Sequence, residues 1–389
     1  MAHFAFVSAP AAGHVNPTLP LVEELVRRGH RVSYATGPTT AEGAVAAGAS
    51  PSVLPSELPP DMDARGEFTA EQLAVTLEYF LDDAEVSFPV LAAHFGTDRP
   101  DVVCYDSVTF TGRMLANLLG VPEVALVPTF AENEQFSATQ VYLPPSFDHQ
   151  HPKLVAAIGR MAKFASGFAF LDDPNLMFGH VAPMSVVFVP RRFQLAADTF
   201  DERFHFVGPS LGSWQVAEQW SPRTDAPVLL ISLGTVFNSR PEFYRTCVEA
   251  FGDGPWEVVM SVGSMDVERL ELPGPLPANF SVHARVPQVA VLRHASAFLT
   301  HAGMNSVMES LWHDVPFVTV PQIPEQRAIA ARAAELGVGV VLDDHTADGL
   351  RAAVTAAVGN RAAVAAMGEV VRSSGGAGAA ADALEKLLG

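Results

Sequence analysis

The chain has 389 residues, room for two domains of ordinary size and not for three. Hydrophobic residues make up 49% and charged residues 17%, which supplies large apolar cores and excludes global disorder. Asp and Glu number 43 against 24 Lys and Arg, and the formal net charge of −19 repels nucleic acid and anionic lipid.

In chain order, residues 4–8 are a short apolar run that predicts a strand, and 9–16 form a Pro/Gly loop. Leu19, Val22, Leu25 and Val26 recur at helical spacing over 17–28. Pro17 suits a first helical turn and Gly29 stands where a helix C-cap belongs. A strand at 31–36 completes a βαβ opening, which implies a parallel sheet with helices on both faces. Residues 51–100 read as mostly helical, with Phe68, Leu73, Leu77, Phe80, Leu81 and Phe88 spread through them. A strand at 101–105, a helix at 109–119 and a strand at 124–127 follow. A second aromatic-rich region, 130–178, carries Phe136, Tyr142, Phe147, Phe164, Phe168, Phe170 and Met177. Such segments line pockets for flat or greasy ligands, although for each single side chain core packing is the better reading.

Composition shifts at 208–227 to Gly, Pro, Ser and Trp, and the βα alternation then restarts. Strands are predicted at 228–233, 257–262, 281–284, 297–300, 317–320 and 338–341, with helices between them and a helical tail over 377–388. The expected architecture is α/β, two doubly wound Rossmann-like domains in tandem. Its boundaries are 1–208, a linker at 209–226, a second domain at 227–375, and a C-terminal helix at 376–389 packing back on the first domain.

No basic segment precedes the first apolar run, which Pro10 and Gly13 break, so no targeting signal is read there. No stretch approaches the ~20 apolar residues that cross a bilayer. Two cysteines, Cys104 and Cys247, make no disulfide framework and read as packing in a strand and a helix. A cytoplasmic protein is expected.

The most informative stretch begins at Val286-Pro287-Gln288 and continues through Thr300-His301-Ala302-Gly303-Met304-Asn305-Ser306-Val307-Met308-Glu309. An apolar strand ends at Thr300, a Gly-containing turn follows, and a helix starts near Met304. Ligands of parallel α/β sheets bind beyond the carboxyl ends of strands, where a helix N-terminus offers N–H donors and a positive dipole end. Asn305 and Glu309 are four apart and share a helical face. That spacing lets one reach a phosphate and the other a ribose hydroxyl. Alone, the pattern also fits an ordinary strand–turn–helix with a polar cap. Downstream, Val320-Pro321-Gln322-Ile323-Pro324-Glu325-Gln326 again runs from a strand through a loop into a helix.

Together these residues resemble the donor signature of nucleotide-sugar-dependent glycosyltransferases of the GT-B fold, family 1, and above all the bacterial macrolide and antibiotic glycosyltransferases. The shared His-x-Gly-x-Asn-Ser-x-x-Glu core stands here as His301, Gly303, Asn305, Ser306 and Glu309. Gly13-His14-Val15-Asn16-Pro17, Tyr105-Asp106, Ile231-Ser232-Leu233-Gly234-Thr235, Ser261-Val262-Gly263 and Gly375-Gly376-Ala377 are similar to the family as well. The resemblance spans nearly the whole chain and is weakest over 50–95 and 130–185.

The resemblance implies two domains facing a central cleft, with these donor roles. His301, Asn305 and Ser306 bind the diphosphate, helped by Thr235. Glu309 holds the ribose, Val286 to Gln288 meet the base through backbone groups, and Glu325 and Gln326 hydrogen-bond sugar hydroxyls. Relatives carry a Trp before Val-Pro-Gln that stacks on uracil. Here Arg285 stands there, a guanidinium that also stacks, and with Ser261 it is a candidate base contact; uridine and thymidine both stay open.

His14 and Asp106 each follow or end a strand of the first sheet. A lone loop His is usually a surface residue and a lone Asp after a strand a helix cap. The resemblance makes them a catalytic dyad. Imidazole, with an ordinary pKa near ~6.5, accepts a proton at cell pH, and a carboxylate behind it fixes its tautomer. The implied reaction is inverting transfer without a metal or a further cofactor, with domain closure aligning the substrates and excluding water.

Other signals fail. Gly376-Ala377-Gly378 lacks a preceding strand and a following ribose-binding acid, so it is no dinucleotide fingerprint. Gly-x-Ser-x-Gly and Walker A motifs are absent, and His149 and His151 lack a third ligand. The expected enzyme is a UDP-sugar-dependent hexosyltransferase, moving glucose from UDP-glucose to a hydrophobic natural product such as a macrolide or phenol. Its expected partners are that donor and acceptor. The alternatives are a dTDP-deoxysugar transferase and a non-catalytic nucleotide-sugar or aglycone binder. A glycoside hydrolase would want two flanking carboxyl groups instead of a His–Asp pair.

Overall fold

The structure is a computed structural model that describes residues 1–57, 68–169, 180–234, 240–263 and 274–389. The chain divides into two compact units, Met1–Ser210 with Ser374–Gly389, and Leu211–Ser373.

The first unit is built on strands β1 (His3–Val7), β2 (Arg31–Thr36), β3 (Ser50–Val53), β4 (Val102–Asp106), β5 (Glu123–Val127), β6 (Ser185–Val187) and β7 (Phe204–Phe206). They pair in the order β3-β2-β1-β4-β5-β6-β7, all parallel. β1 and β4 are buried along their whole length, as a sheet covered on both faces requires. The sequence pattern does not show β3, β6 or β7. β3 is an edge strand carrying Pro51, and β6 and β7 have three residues each, too few for periodicity to show.

The loop expected at 9–16 is replaced in part by helix. Ala12–Val15 forms a helical turn, Asn16–Thr18 a 3₁₀ turn, and Leu19–Arg27 an α-helix. Pro17 and Pro20 have no N–H to give to the carbonyls four residues back, so the α pattern breaks between them and the chain winds tighter. The helix ends at Gly29, whose φ of 85° lets its own N–H and that of His30 close on the carbonyls of Val26 and Leu25. Helix Gly376–Lys386 packs on Leu19–Arg27. Arg28 Nη1 stands 2.7 Å from both Asp382 Oδ1 and Glu385 Oε2, and His30 Nε2 stands 2.8 Å from Glu385 Oε1.

Helices Ala70–Thr97 and Pro152–Ala165 share a core of Leu77, Leu81, Phe88, Phe110, Met114, Leu154 and Met161, with Phe164 and Phe168 packed against it. Of the aromatics in these two regions, Phe88 is buried in this core, where full burial of a Phe stabilises by about 1.5–3 kcal/mol, and Phe164 and Phe168 are half-buried against it. Phe170 and Met177 lie outside the described residues.

The second unit holds β8 (Val228–Ser232), β9 (Glu257–Ser261), β10 (Phe280–His283), β11 (Ala295–Thr300), β12 (Phe317–Thr319) and β13 (Gly339–Val341). Their order is β10-β9-β8-β11-β12-β13, again all parallel. Leu229, Ile231, Phe251, Met260, Leu299 and Leu350 lie in its core. Cys104 and Cys247 are fully buried, and burial pushes both thiols up, so neither is a nucleophile at neutral pH. The 209–226 segment, read as a linker, contains a short helix, Ser213–Ala217. Among the described residues no helix is long and apolar enough to cross a membrane.

Candidate active site

Each sheet reverses its strand order once, between β1 and β4 in the first unit and between β8 and β11 in the second. At such a reversal the flanking crossovers leave to opposite faces, which opens a crevice at the carboxyl ends of the strands. His14 and Asp106 fall at the first of these points and His301 at the second, whereas Ser261 ends β9 and Glu325 and Gln326 follow β12.

In the first unit Val7 of β1 pairs with Tyr105 of β4, which brings the turn after β1 over the end of β4. His14 rides on that turn and Asp106 is the last residue of β4. His14 Nδ1 lies 2.8 Å from Asp106 Oδ2, with side-chain exposures of 28% and 3%. Backbone N–H groups hold the carboxylate, Val108 donating to Oδ1 at 3.2 Å and Ala9 to Oδ2 at 3.4 Å. Beneath the turn, Thr18 Oγ1 donates to the Val15 carbonyl at 2.8 Å and so accepts from the buried Tyr34 hydroxyl at 2.7 Å. Tyr34 belongs to β2, so this pair ties the His14 turn to the sheet. Neither Thr18 nor Tyr34 stands out in the sequence; both fall within apolar-patterned segments. An Nδ1–H facing Asp106 makes Nε2 the basic nitrogen.

In the second unit Thr300 of β11 pairs with Ser232 of β8, which sets His301 beside Gly234. A Cβ on Gly234 would come within 2.7 Å of the His301 ring, and one on Gly303 would collide with Nε2. Gly234 also has a φ of 82°. Ala302, between His301 and Gly303, is fully buried with a φ of 65°, an uncommon conformation for a residue with a side chain and a local store of strain. Burial lowers the His301 pKa to about 4, against a raising contribution from the Ser232 backbone. The imidazole is therefore neutral at pH 7.

Helix Met304–Trp312 starts immediately beyond. Its N-cap is Gly303, no side chain caps it, and no acid lies in its first turn. The positive end of the helix is thus not neutralised by its own side chains, which suits an incoming anion. Asn305 lies in the first turn. One turn on, Glu309 Oε2 accepts from Gln288 Nε2 at 2.6 Å and Glu309 Oε1 from Gln215 Nε2 at 3.0 Å. Gln288 Nε2 also reaches Ser306 Oγ at 3.1 Å. Burial, which outweighs the two carboxamides, raises the Glu309 carboxyl to about 7. Gln215 was not foreseen, because its contact with residue 309 spans 94 positions and follows no spacing rule.

Val286 and Gln288 are half-buried at the start of helix Gln288–Leu292, and Arg285 is exposed. The Ser261 hydroxyl is turned to the Ala284 carbonyl at 3.3 Å, a backbone contact rather than an open donor. Gln326 is buried, and its Oε1 accepts the Gln322 N–H at 2.7 Å. Glu325, beside it in the first turn of helix Pro324–Glu335, is half-buried. Thr235 lies outside the described residues. No group of three or more His, Cys, Asp or Glu is placed to hold a metal among the described residues.

Residues 214–365 match the profile described as UDP-glucoronosyl and UDP-glucosyl transferase. An NDP-glycosyltransferase of Bacillus licheniformis, YjiC, is 38% identical over 99% of this chain and 98% of its own length. The chain belongs to this glycosyltransferase family. A demethyllactenocin mycarosyltransferase of Streptomyces fradiae is 37% identical over 100% of the chain and 87% of its own length. The crystal structure of CalG4, the calicheamicin glycosyltransferase, superposes with a TM-score of 0.86 at 35% identity, covering 100% of this chain and 98% of that one. The two parallel-sheet, Rossmann-like units are those of the GT-B glycosyltransferases. The protein is accordingly an enzyme, a glycosyltransferase of family 1.

Proposed function

We propose that this glycosyltransferase moves a hexose, glucose from UDP-glucose, to a hydroxyl of a hydrophobic natural product such as a macrolide or a phenol, with inversion at the anomeric carbon. In this reading the first unit binds the acceptor and Leu211–Ser373 binds the donor. The observation that carries it is the 2.8 Å contact of His14 with Asp106 at the strand reversal of the first sheet. A protein that only binds sugar nucleotides needs no imidazole backed by a buried carboxylate.

The acceptor oxygen attacks the anomeric carbon on the face opposite the diphosphate. His14 Nε2 takes the hydroxyl proton, the new O–C bond forms, and the bond to the diphosphate oxygen breaks with its electron pair. Asp106 stabilises the imidazolium. The neutral His301 donates to the diphosphate with Asn305, Ser306 and Thr235, and the uncapped helix start stabilises the negative charge on the leaving group. Glu309 holds the ribose. Val286, Gln288 and Arg285 meet the base, and Glu325 and Gln326 the sugar hydroxyls. The acceptor class rests on the relatives named for demethyllactenocin and calicheamicin.

Mass spectrometry of products from a grid of UDP- and dTDP-sugars against macrolides and phenols tests the reading. Transfer of glucose from UDP-glucose supports it. His14→Ala abolishes transfer and keeps nucleotide binding, whereas His301→Ala weakens nucleotide binding. Loss of nucleotide affinity in His14→Ala, or unchanged affinity in His301→Ala, refutes the assigned roles. The mycarosyltransferase relative favours a second reading, a dTDP-deoxysugar donor, which the same grid would reveal.

A further inference from the structure

The Glu309 carboxylate is gripped from two sides by carboxamides on separate elements, Gln288 at Oε2 and Gln215 at Oε1. Gln215 has no freedom to turn over. Its Oε1 accepts the Gly212 N–H at 2.9 Å, which commits Nε2 to Glu309. The short helix carrying it, Ser213–Ala217, is itself fastened within the second unit. Arg293 Nη2 donates to the carbonyls of Gln215 at 2.7 Å and Val216 at 3.0 Å, and Nη1 to that of Glu218 at 3.1 Å. These are carbonyls at a helix end, which have no partner inside the helix. The Trp220 ring follows, 5.7 Å from that of His294.

We infer that Gln215 is a positioning residue for the donor nucleotide, holding the Glu309 carboxylate in the orientation and charge state that a ribose 2′,3′-diol uses. The inference rests on the reading of Glu309 as the ribose-binding group. An ionised carboxylate has about two acceptor sites on each oxygen, and the two carboxamides occupy one apiece. One site per oxygen is left, which matches two vicinal hydroxyls and makes a ribonucleoside a better ligand than its 2′-deoxy form. Charge state enters the same way. Burial and the nearby Glu218 favour the protonated acid, while Gln288 and Gln215 favour the carboxylate. Without Gln215 more of the site is protonated at neutral pH, and one of its acceptors is lost.

The test is calorimetric affinity for UDP and 2′-deoxy-UDP between pH 6 and 9, in the wild type, Gln215→Leu, Gln215→Glu and Glu309→Gln. Gln215→Leu is expected to bind UDP about tenfold more weakly at pH 7, with its pH midpoint raised by about one unit and the gap narrowing by pH 9. Its preference for UDP over 2′-deoxy-UDP falls toward that of Glu309→Gln. Gln215→Glu keeps the shape and the Gly212 bond but sets a second acid beside Glu309, so its midpoint moves further. A residue needed only for folding would weaken both nucleotides equally at every pH, and that result overturns the inference. So does a wild-type midpoint and preference in both Gln215 variants while Glu309→Gln loses affinity. If Glu309→Gln binds UDP like the wild type, the ribose reading itself fails and the inference falls with it.

Discussion

Replacing Gly303 by alanine isolates the part played by the His301 ring. Gly303 has φ −63° and ψ 140°, which alanine adopts without strain, so the change acts through space alone. The new methyl would overlap Nε2 and stand 2.9 Å from Cε1 of His301. Carbon atoms rest about 3.5–4.0 Å apart, so the ring must move by at least about 0.5 Å at Cε1 and by more at Nε2. A charge-assisted hydrogen bond contributes about 1.5–3 kcal/mol, and losing its alignment raises the Kd for UDP roughly 10- to 150-fold. The fold itself is little affected. An overpacking cost of about 1 kcal/mol lowers Tm by about 2–4 °C in a unit the size of Leu211–Ser373. Isothermal titration with UDP, read beside thermal melts, separates the two effects. Gly274→Ala is the control, since nothing lies within 4 Å of its added methyl. UDP affinity within twofold of wild type in Gly303→Ala, whatever the small shift in Tm, would refute the assignment of His301 to the diphosphate.

Asp106→Asn should lower kcat about 10²- to 10⁴-fold with nucleotide affinity unchanged, as measured by initial rates and titration; a normal kcat would remove the carboxylate from the mechanism. The Glu309 carboxyl, held up at about 7 by burial, keeps a proton in the folded protein that the unfolded chain releases near 4.5. Stability therefore falls as pH rises between those values, and Glu309→Gln should remove that part of the slope in urea titrations. UDP affinity should rise with pH through about 7 in the wild type and stay flat in Glu309→Gln, if, as proposed, the carboxylate binds the ribose diol. Tyr34→Phe removes the hydrogen bond beneath the His14 turn at a cost of about 1 kcal/mol, visible as a lowered Tm with a smaller loss of kcat than Asp106→Asn shows.

The alternation of strands and helices was legible because buried parallel strands are continuous apolar runs, as in β1, β4 and β8. Where strands shorten to three residues or lie at an edge, as β3, β6 and β7 do, that signal is lost. His301 and Glu309 were singled out in the sequence because one turn and one helix carry them, and because they resemble the His-x-Gly-x-Asn-Ser-x-x-Glu core of the family. Gln215 could not, since its meeting with Glu309 depends on how the Ser213–Ala217 helix lies against the second unit. The same holds for the Tyr34–Thr18 pair. The loop expected at 9–16 hides the short helical turn Ala12–Val15, whereas Pro17, read as a helix start, does stand in the first turn of the Asn16–Thr18 3₁₀ helix that leads into Leu19–Arg27.

The two histidines show why a strand reversal serves both halves of the proposed reaction. Each follows a central strand of its sheet, so each reaches the crevice at the carboxyl ends. What differs is the residue across the reversal. Opposite His14 stands a buried carboxylate, which orients the ring and, in the proposed reaction, stabilises the imidazolium formed when the proton is taken in the transition state. Opposite His301 stands a glycine, which offers no charge and lets the ring sink until burial keeps it neutral. A neutral ring donates one hydrogen bond to a diphosphate without competing for the acceptor's proton. Exchanging the two environments tests this directly. Asp106→Gly should leave His14 without its counter-charge and remove base catalysis, with nucleotide affinity untouched. Gly234→Asp also drives a Cβ against the His301 ring, so the readout is the salt dependence: a carboxylate there repels the diphosphate, and UDP affinity falls further as salt is lowered. Equal UDP affinity at low and high salt in Gly234→Asp would refute an electrostatic role for that position.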